Sequence, residues 1–204
     1  MTICMSDIIC ITNRKLCHND FYRQISLIAQ NRPKAIILRE KDMDENEYTS
    51  LSKEIISICK EHDVTCILHS FTATAITLGH DKIHLPLPLL RSLTPEQKKI
   101  FSLIGTSCHS IDEAKEAQKL GADYIIAGHI FSTDCKKDLK PRGTEFLKEI
   151  IENVSVPVYA IGGISPDNIN MVRKCGTSGV CVMSGFMKCD DIAVFTEKLK
   201  KGEH

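Results

Sequence analysis

The 204-residue sequence has no surplus of either charge and no long apolar run. Lys and Arg together number 26, as do Asp and Glu, so the formal net charge is zero. A nucleic-acid-binding surface normally carries a basic surplus, so we expect no nucleic-acid partner. No run approaches the roughly 18 apolar residues of a membrane helix, so we expect no membrane contact either.

The sequence also lacks C-x-x-C pairs, although it holds ten cysteines. Cys66, Cys108 and Cys181 lie in apolar, strand-like runs, which favours reduced, buried thiols over disulfides. The first ten residues are too short, and lack the basic start, for a secretion signal. We therefore expect a cytoplasmic protein, and the length predicts a single domain over residues 1–204.

Eight short apolar runs alternate with longer amphipathic segments along the chain. Most runs are continuously apolar, as is typical of parallel strands that are buried on both faces. The predicted strands are 8–12, 35–39, 65–69, 82–85, 102–107, 124–130, 158–161 and 179–183.

Helical spacing is clearest between the first three runs, over residues 19–30 and 45–62. Ser110 and Glu113 form a capping-box pattern that starts another helix, and Gly121 is suited to its end. The sequence Ser165-Pro166-Asp167 predicts the start of a seventh helix, with proline in its first turn.

This alternation predicts an α/β fold, a single (β/α)8 TIM barrel, with a doubly wound open sheet as the alternative. In such a barrel the active site lies at the carboxyl ends of the strands. The residues directly after each run are therefore the candidates for function.

Glycines follow the seventh and eighth predicted strands, as Gly162-Gly163 and Ser184-Gly185. Barrels commonly bind phosphate there through backbone N–H groups, and glycine lets the anion approach the amides closely. Ordinary tight turns are the alternative reading of each pair. We expect all four residues to bind a phosphate group.

The longest connection starts at Gly128, at the end of the sixth predicted strand, and contains His129, Thr133 and Lys136. Long loops over a barrel mouth are usually functional, and imidazole transfers protons near neutral pH. His129 is the catalytic candidate, with a hydrogen-bonded core histidine as the alternative. Thr133 and Lys136 are candidates for substrate binding.

Charged and polar side chains end the second and fifth predicted strands. Arg39 and Lys41 are candidates for binding an anion, and Ser107 and His109 are placed to face the mouth. His69 and His84 raise the possibility of a metal site with His109. No carboxylate accompanies these histidines at ligand spacing, so we expect no metal.

Five short motifs make the chain resemble the thiamine phosphate synthase superfamily over nearly its whole length. They are LREK at 38–41, GTSCHS at 105–110, GADY at 121–124, AIGGI at 160–164 and VMSG at 182–185. Their order and spacing agree with that superfamily. The resemblance implies a barrel that binds small phosphorylated substrates.

The sequence departs from the synthase pattern after the third and fourth strands. The synthase has Asn-Asp-Arg at the first place, where the aspartate binds magnesium, and this chain has His69-Ser70-Phe71. The synthase has Gly-Gln and a second metal-binding aspartate at the other place, where this chain reads HLPLP over residues 84–88. A diphosphate leaving group normally needs a divalent cation, and both carboxylates are absent.

The residues around His129 are instead similar to the TenI branch of that superfamily. Gly-His-x-Phe over residues 128–131, followed by Thr-Asp-Cys-Lys-Lys, resembles the thiazole tautomerases. That resemblance implies an isomerase without a cofactor, in which His129 moves the proton that aromatises a carboxythiazole phosphate. It also implies a phosphorylated thiazole as substrate and a homodimer. The TenI branch keeps Asn-Gly-Arg after the third strand, and this chain does not.

Two alternatives to the tautomerase remain at this point. One is a magnesium-dependent thiamine phosphate synthase, which couples a pyrimidine diphosphate to a thiazole phosphate. The other is a non-catalytic TenI-like regulatory protein that keeps the barrel and its ligand site.

Overall fold

A computed structural model describes residues 7–133 and 139–202 of the chain. Eight parallel strands form a closed barrel in the order β1 to β8, each strand pairing with its neighbours in sequence. The strands are β1 (Ile8–Ile11), β2 (Ala35–Leu38), β3 (Thr65–His69), β4 (Lys82–Pro86), β5 (Leu103–Cys108), β6 (Tyr124–Gly128), β7 (Val158–Ile161) and β8 (Gly179–Val182).

Helices connect the strands and surround the barrel. They are α1 (Phe21–Gln30), α2 (Glu45–Glu61), α3 (Thr72–Thr77), α4 (Leu87–Ser92), α5 (Pro95–Ile100), α6 (Ile111–Lys119), α7 (Gly143–Asn153), α8 (Ile169–Arg173), α9 (Ser184–Lys188) and α10 (Ile192–Lys201). A 3-10 turn over Arg14–Leu16 follows β1. The single (β/α)8 barrel predicted from the sequence is confirmed.

The alternation of side chains along each strand divides the apolar core in two. Ile8 and Cys10 face the surrounding helices, whereas Ile9 and Ile11 face the barrel interior. Both faces of the strands are therefore buried, which explains why the sequence runs are continuously apolar. The interior cluster includes Tyr124 and Tyr159, the largest side chains inside the barrel.

Two local predictions for the helices need correction. Residues 165–168 form a turn, in which Asn168 Oδ1 accepts a hydrogen bond from the Ser165 amide, and α8 begins only at Ile169. Ser110 does cap α6 by accepting from the Glu113 amide. The Glu113 carboxylate, however, accepts from the His109 amide, so the reciprocal half of the capping box is not formed.

Among the residues that the structure describes, no helix combines the length and the apolar character that a membrane span requires.

Candidate functional site

A cavity of about 490 Å³ opens at the carboxyl ends of the strands. Its floor consists of apolar side chains from four strands, namely Ile11, Ile37, Ile126 and Cys181. The polar side chains of its walls come from the ends of the strands and from the loops that follow them, and apolar residues such as Leu87 and Ile164 lie among them. The cavity thus combines an apolar base with a few polar groups at its wall, as is common in small-molecule sites.

The structure brings most of the predicted site residues to this cavity. The predicted residues that line it are Arg39, Lys41, Ser107, His129, Thr133, Gly162, Gly163 and Ser184. Gly185 does not line it, and Lys136 lies outside the described residues. His69, His84 and His109 also line the cavity.

Gly185 lies in α9, where it packs against Phe195 of α10. A Cβ at Gly185 would collide with the Phe195 ring. This close approach of two helices gives the glycine a packing role. The sequence pattern after β8 did not distinguish that role from phosphate binding.

Gly162 and Gly163 lie directly against the start of the loop between β6 and α7, residues 129–142, which we call the β6 loop. Their φ angles are +104° and +64°, in the region that favours glycine. A Cβ at Gly162 would collide with Cβ of His129, and one at Gly163 with the carbonyl oxygen of Ser132. The two glycines therefore allow the β6 loop to close over the end of β7.

The residues after β2 alternate in direction, which separates their charges. Arg39 and Lys41 line the cavity, whereas Glu40 is buried and points away from it. The Glu40 carboxylate accepts hydrogen bonds from the Thr12 hydroxyl at 2.7 Å and the Arg14 amide at 3.0 Å. Glu40 thus holds the loop that follows β1, and of these three charged residues only the two cations reach the cavity wall.

His129 is buried at the cavity wall, and its ring bridges the two ends of the β6 loop. Its Nε2 lies 3.1 Å from the carbonyl oxygen of Leu139. A carbonyl oxygen only accepts, so Nε2 carries the proton of this hydrogen bond. The contact holds the end of the β6 loop against the barrel mouth.

His69 and His84 lie side by side on β3 and β4, with ring centroids 5.5 Å apart. The His84 ring contacts the Tyr124 hydroxyl through Nδ1 at 3.1 Å and the Ser107 hydroxyl through Nε2 at 2.8 Å. The His69 ring contacts the Ser70 hydroxyl through Nδ1 at 2.7 Å. The sequence had suggested these two histidines only as doubtful metal ligands.

Both rings are neutral at physiological pH because they are buried. Burial and the positive charge of Arg39 lower the pKa of His84 to about 3. The pKa of His69 is lowered mainly by burial. The electrostatic effect of the neighbouring His84, Arg39 and Lys41 lowers it further. Arg39, His69 and His84 all line the cavity, so the two neutral rings and the cation face the same space.

Tyr48 of α2 fixes the end of β3 from outside the barrel. Its hydroxyl donates to the Leu38 carbonyl at 2.6 Å and accepts from the His69 amide at 2.9 Å. Its ring stacks on Phe71, with centroids 4.1 Å apart. This bridge sets the position of the His69 backbone relative to β2.

The described residues do not fit a magnesium ion at this site. Within the described part of the chain, no group of three His, Cys, Asp or Glu side chains is arranged to hold a metal. The neutral rings after β3 and β4 do not suit magnesium, which prefers oxygen ligands. Glu113, a carboxylate at the cavity wall, already accepts from the His109 amide.

Among the described residues, His109 is not grouped with the other two histidines in an arrangement that could hold a metal. Its Nδ1 lies 2.7 Å from the Gly128 carbonyl oxygen, which ties the end of β5 to the end of β6. The carbonyl accepts this hydrogen bond, so Nδ1 carries a proton.

Comparisons with known proteins agree along almost the whole chain. A family model described as thiamine monophosphate synthase matches residues 8–186. The chain is 33% identical over 197 residues to the thiamine-phosphate synthase of Fusobacterium nucleatum, covering 94% of each. It is 36% identical over 172 residues to that of Pyrococcus abyssi, covering 82% of this chain and 81% of the other. The solved structure of a thiamine phosphate pyrophosphorylase from Pyrococcus furiosus superposes with a TM-score of 0.82 at 31% identity, covering 97% of this chain and 94% of that one.

These comparisons contradict the prediction of a thiazole tautomerase, which is wrong. The relatives are named as synthases, and the comparisons do not single out the TenI branch. The isomerase assignment depended on a few residues around His129, whereas the similarity to synthases extends over 94% of the chain. The hydrogen bond from His129 to Leu139 agrees with the alternative reading of this residue as a hydrogen-bonded histidine.

Proposed function

Since the chain belongs to the thiamine monophosphate synthase family, we propose that it is a transferase of thiamine biosynthesis, a thiamine phosphate synthase. The reaction couples a pyrimidine diphosphate to a thiazole phosphate and releases pyrophosphate. The observation that carries this proposal is a single cavity in which two separate sets of residues can each bind an anionic group.

The first set is Arg39 and Lys41 at the end of β2, which we assign to the diphosphate. Both side chains line the cavity, and Glu40 between them is turned away and bonded to Thr12 and Arg14. Two cations beside a leaving pyrophosphate stabilise the negative charge that develops on the oxygen that separates from the pyrimidine carbon. Arginine can also bind two phosphate oxygens at once, which fixes the orientation of the group.

The second set is Gly162, Gly163 and Ser184, which we assign to the phosphate of the thiazole. These residues follow β7 and β8, where barrels of this type often bind phosphate through backbone amides. Thr133, from the β6 loop, lines the same cavity and supplies a further hydroxyl.

The apolar floor between the two sets has room for the two heterocycles. Ile11, Ile37 and Ile126 present an apolar surface against which both rings can lie. Holding two substrates in reacting geometry converts an encounter in solution into a step within one complex, which is a large source of acceleration. His129 acts here as a positioning residue that holds the β6 loop over the site.

The test is to incubate the protein with pyrimidine diphosphate and thiazole phosphate and to measure thiamine phosphate by chromatography. We expect product with the wild type and a decrease of about tenfold or more in kcat/KM for Arg39→Gln, because a charge-assisted contact is lost. Arg91→Gln is the matched control, since Arg91 lies at the surface in an ion pair with Glu116. Thiazole phosphate binding without any product would favour the non-catalytic alternative.

A further inference from the structure

Polar side chains of β4, β5 and β6 form a network that extends from the barrel interior to the cavity wall. Tyr124 begins it inside the barrel, where Gly105 of the neighbouring strand leaves room for the ring. His84 follows, and Ser107 ends the network at the cavity. The directions of its hydrogen bonds decide what the wall offers to a ligand.

The Tyr124 hydroxyl sets those directions. Burial raises the pKa of this phenol well above its ordinary value, so it keeps its proton. His84 Nδ1 is the hydrogen-bond partner of the hydroxyl among the described residues, and a buried O–H without an acceptor is costly. Tyr124 therefore donates to Nδ1, and the single proton of the neutral His84 ring lies on Nε2.

The proton on Nε2 determines the orientation of Ser107. His84 Nε2 donates to the Ser107 oxygen, which lies 2.8 Å away. With its oxygen occupied as an acceptor, the Ser107 hydroxyl has its own proton left to donate, and the residue lines the cavity. Ser107 thus presents a hydrogen-bond donor to the ligand.

His69 provides a second donor on the same wall. The Ser70 hydroxyl can donate to Nδ1 of His69, which leaves the ring proton on Nε2. Nε2 has no hydrogen-bond partner among the described residues, and His69 lines the cavity. An anion bound there selects the tautomer in which Nε2 carries the proton.

We infer that His69 and Ser107, together with Arg39 and Lys41, bind the anionic end of the substrate directly, without a divalent cation between protein and phosphate. Apart from Glu113, whose carboxylate accepts from the His109 amide, the charged and polar groups of the wall are hydrogen-bond donors and cations, which attract phosphate oxygens and repel a metal ion. The segments at 69–71 and 84–88, where the synthase pattern has its metal-binding carboxylates, hold no carboxylate in this chain. Direct hydrogen bonds from His69 and Ser107 replace a bridging ion.

This inference rests on the proposed function for the identity of the anion, and its test measures binding without turnover. Inorganic pyrophosphate is titrated into the protein by calorimetry, once in EDTA and once in excess magnesium. We expect binding in EDTA, and magnesium should leave the affinity unchanged or weaken it, because the ion competes for the same phosphate oxygens. Binding that requires magnesium, or no binding under either condition, would overturn the inference.

Variants test the contribution of the His69 ring. His69→Phe keeps a flat ring but removes Nε2, and should weaken pyrophosphate binding in EDTA by about tenfold or more. His80→Phe is the control, since His80 bonds to the Cys66 carbonyl and does not line the cavity. Wild-type affinity in a folded His69→Phe protein would contradict the inference. If that variant fails to fold, Ser107→Ala takes its place and should show a similar loss of pyrophosphate affinity. Unchanged affinity in Ser107→Ala would contradict the inference that these side chains donate hydrogen bonds to the anion.

The outcomes separate this inference from the proposed function. Pyrophosphate that binds without magnesium in a protein that forms no thiamine phosphate contradicts the function and leaves the inference standing. Turnover together with pyrophosphate binding that depends on magnesium contradicts the inference alone.

Discussion

The hydroxyl of Tyr124 lies 3.1 Å from Nδ1 of His84 inside the barrel, and both side chains are buried. The phenol links the packed interior to the cavity wall, because the other ring nitrogen of His84 contacts Ser107. The same hydrogen bonds therefore connect the packing of the barrel interior to the orientation of Ser107 at the cavity wall.

Removal of the phenol oxygen should destabilise the protein. Tyr124→Phe leaves Nδ1 of His84 buried without its donor, which should lower the free energy of unfolding by about 1–3 kcal/mol. Urea unfolding followed by circular dichroism measures the change. Tyr22→Phe, on the exposed side of α1, should have almost no effect. Equal stabilities for the two variants would show that the hydrogen bond contributes nothing.

The two buried histidines should make the protein less stable in mild acid. Each is neutral in the folded state, because burial lowers the pKa of His69 and that of His84, the latter to about 3. The unfolded chain binds a proton near the ordinary pKa of 6.5, so it binds more protons than the folded chain as the pH falls below that value. Stability is therefore present above about pH 6.5 and is lost as the pH decreases.

His84→Gln measures the share of one ring in this pH dependence. Between about pH 7 and about pH 5.5, His84 should account for a loss of about 1 kcal/mol in the free energy of unfolding. The variant should lack that part of the slope, whatever its absolute stability. Ser50→Ala, an exposed substitution on α2, should keep the wild-type slope. An unchanged slope in His84→Gln would mean that the ring is protonated in the folded protein.

Gly163 tests the contact between the β6 loop and the end of β7. An alanine there has a φ of +64° and a Cβ that collides with the Ser132 carbonyl oxygen, so the loop must move. We expect Gly163→Ala to weaken inorganic phosphate binding by about tenfold, measured by calorimetry.

Gly121→Ala is the matched control for that variant. Gly121 also has a positive φ, of +88°, but a Cβ there meets no atom within 4 Å. Both variants carry the strain of the left-handed region, about 1–2 kcal/mol, and only Gly163 borders the cavity. If both variants bind phosphate as the wild type does, the ligand does not contact this part of the wall.

Much of the fold could be predicted because the parallel strands are buried on both sides. The run at 65–69 predicts β3 at its observed bounds, and the run at 158–161 does the same for β7. The start of α8 was wrong because a proline after serine also suits the turn that residues 165–168 form. Local sequence does not separate these two outcomes.

The site could be predicted where position along a strand decides the direction of a side chain. Arg39 and Lys41 line the cavity because they follow β2 and are two residues apart. The network from Tyr124 to Ser107 was missed, since it depends on the register of three strands. Gly105 gives a signal for it, as a glycine within a strand often marks the close approach of another group.

A single-turnover experiment with the wild type tests most directly whether the protein couples two phosphorylated substrates in this cavity. Enzyme in excess over pyrimidine diphosphate is mixed with thiazole phosphate, and thiamine phosphate and pyrophosphate are measured in the same quenched samples. We predict that both products form at the same rate and in equal amounts. Pyrophosphate without thiamine phosphate, or neither product beyond a no-enzyme control, would contradict the assignment as a thiamine phosphate synthase.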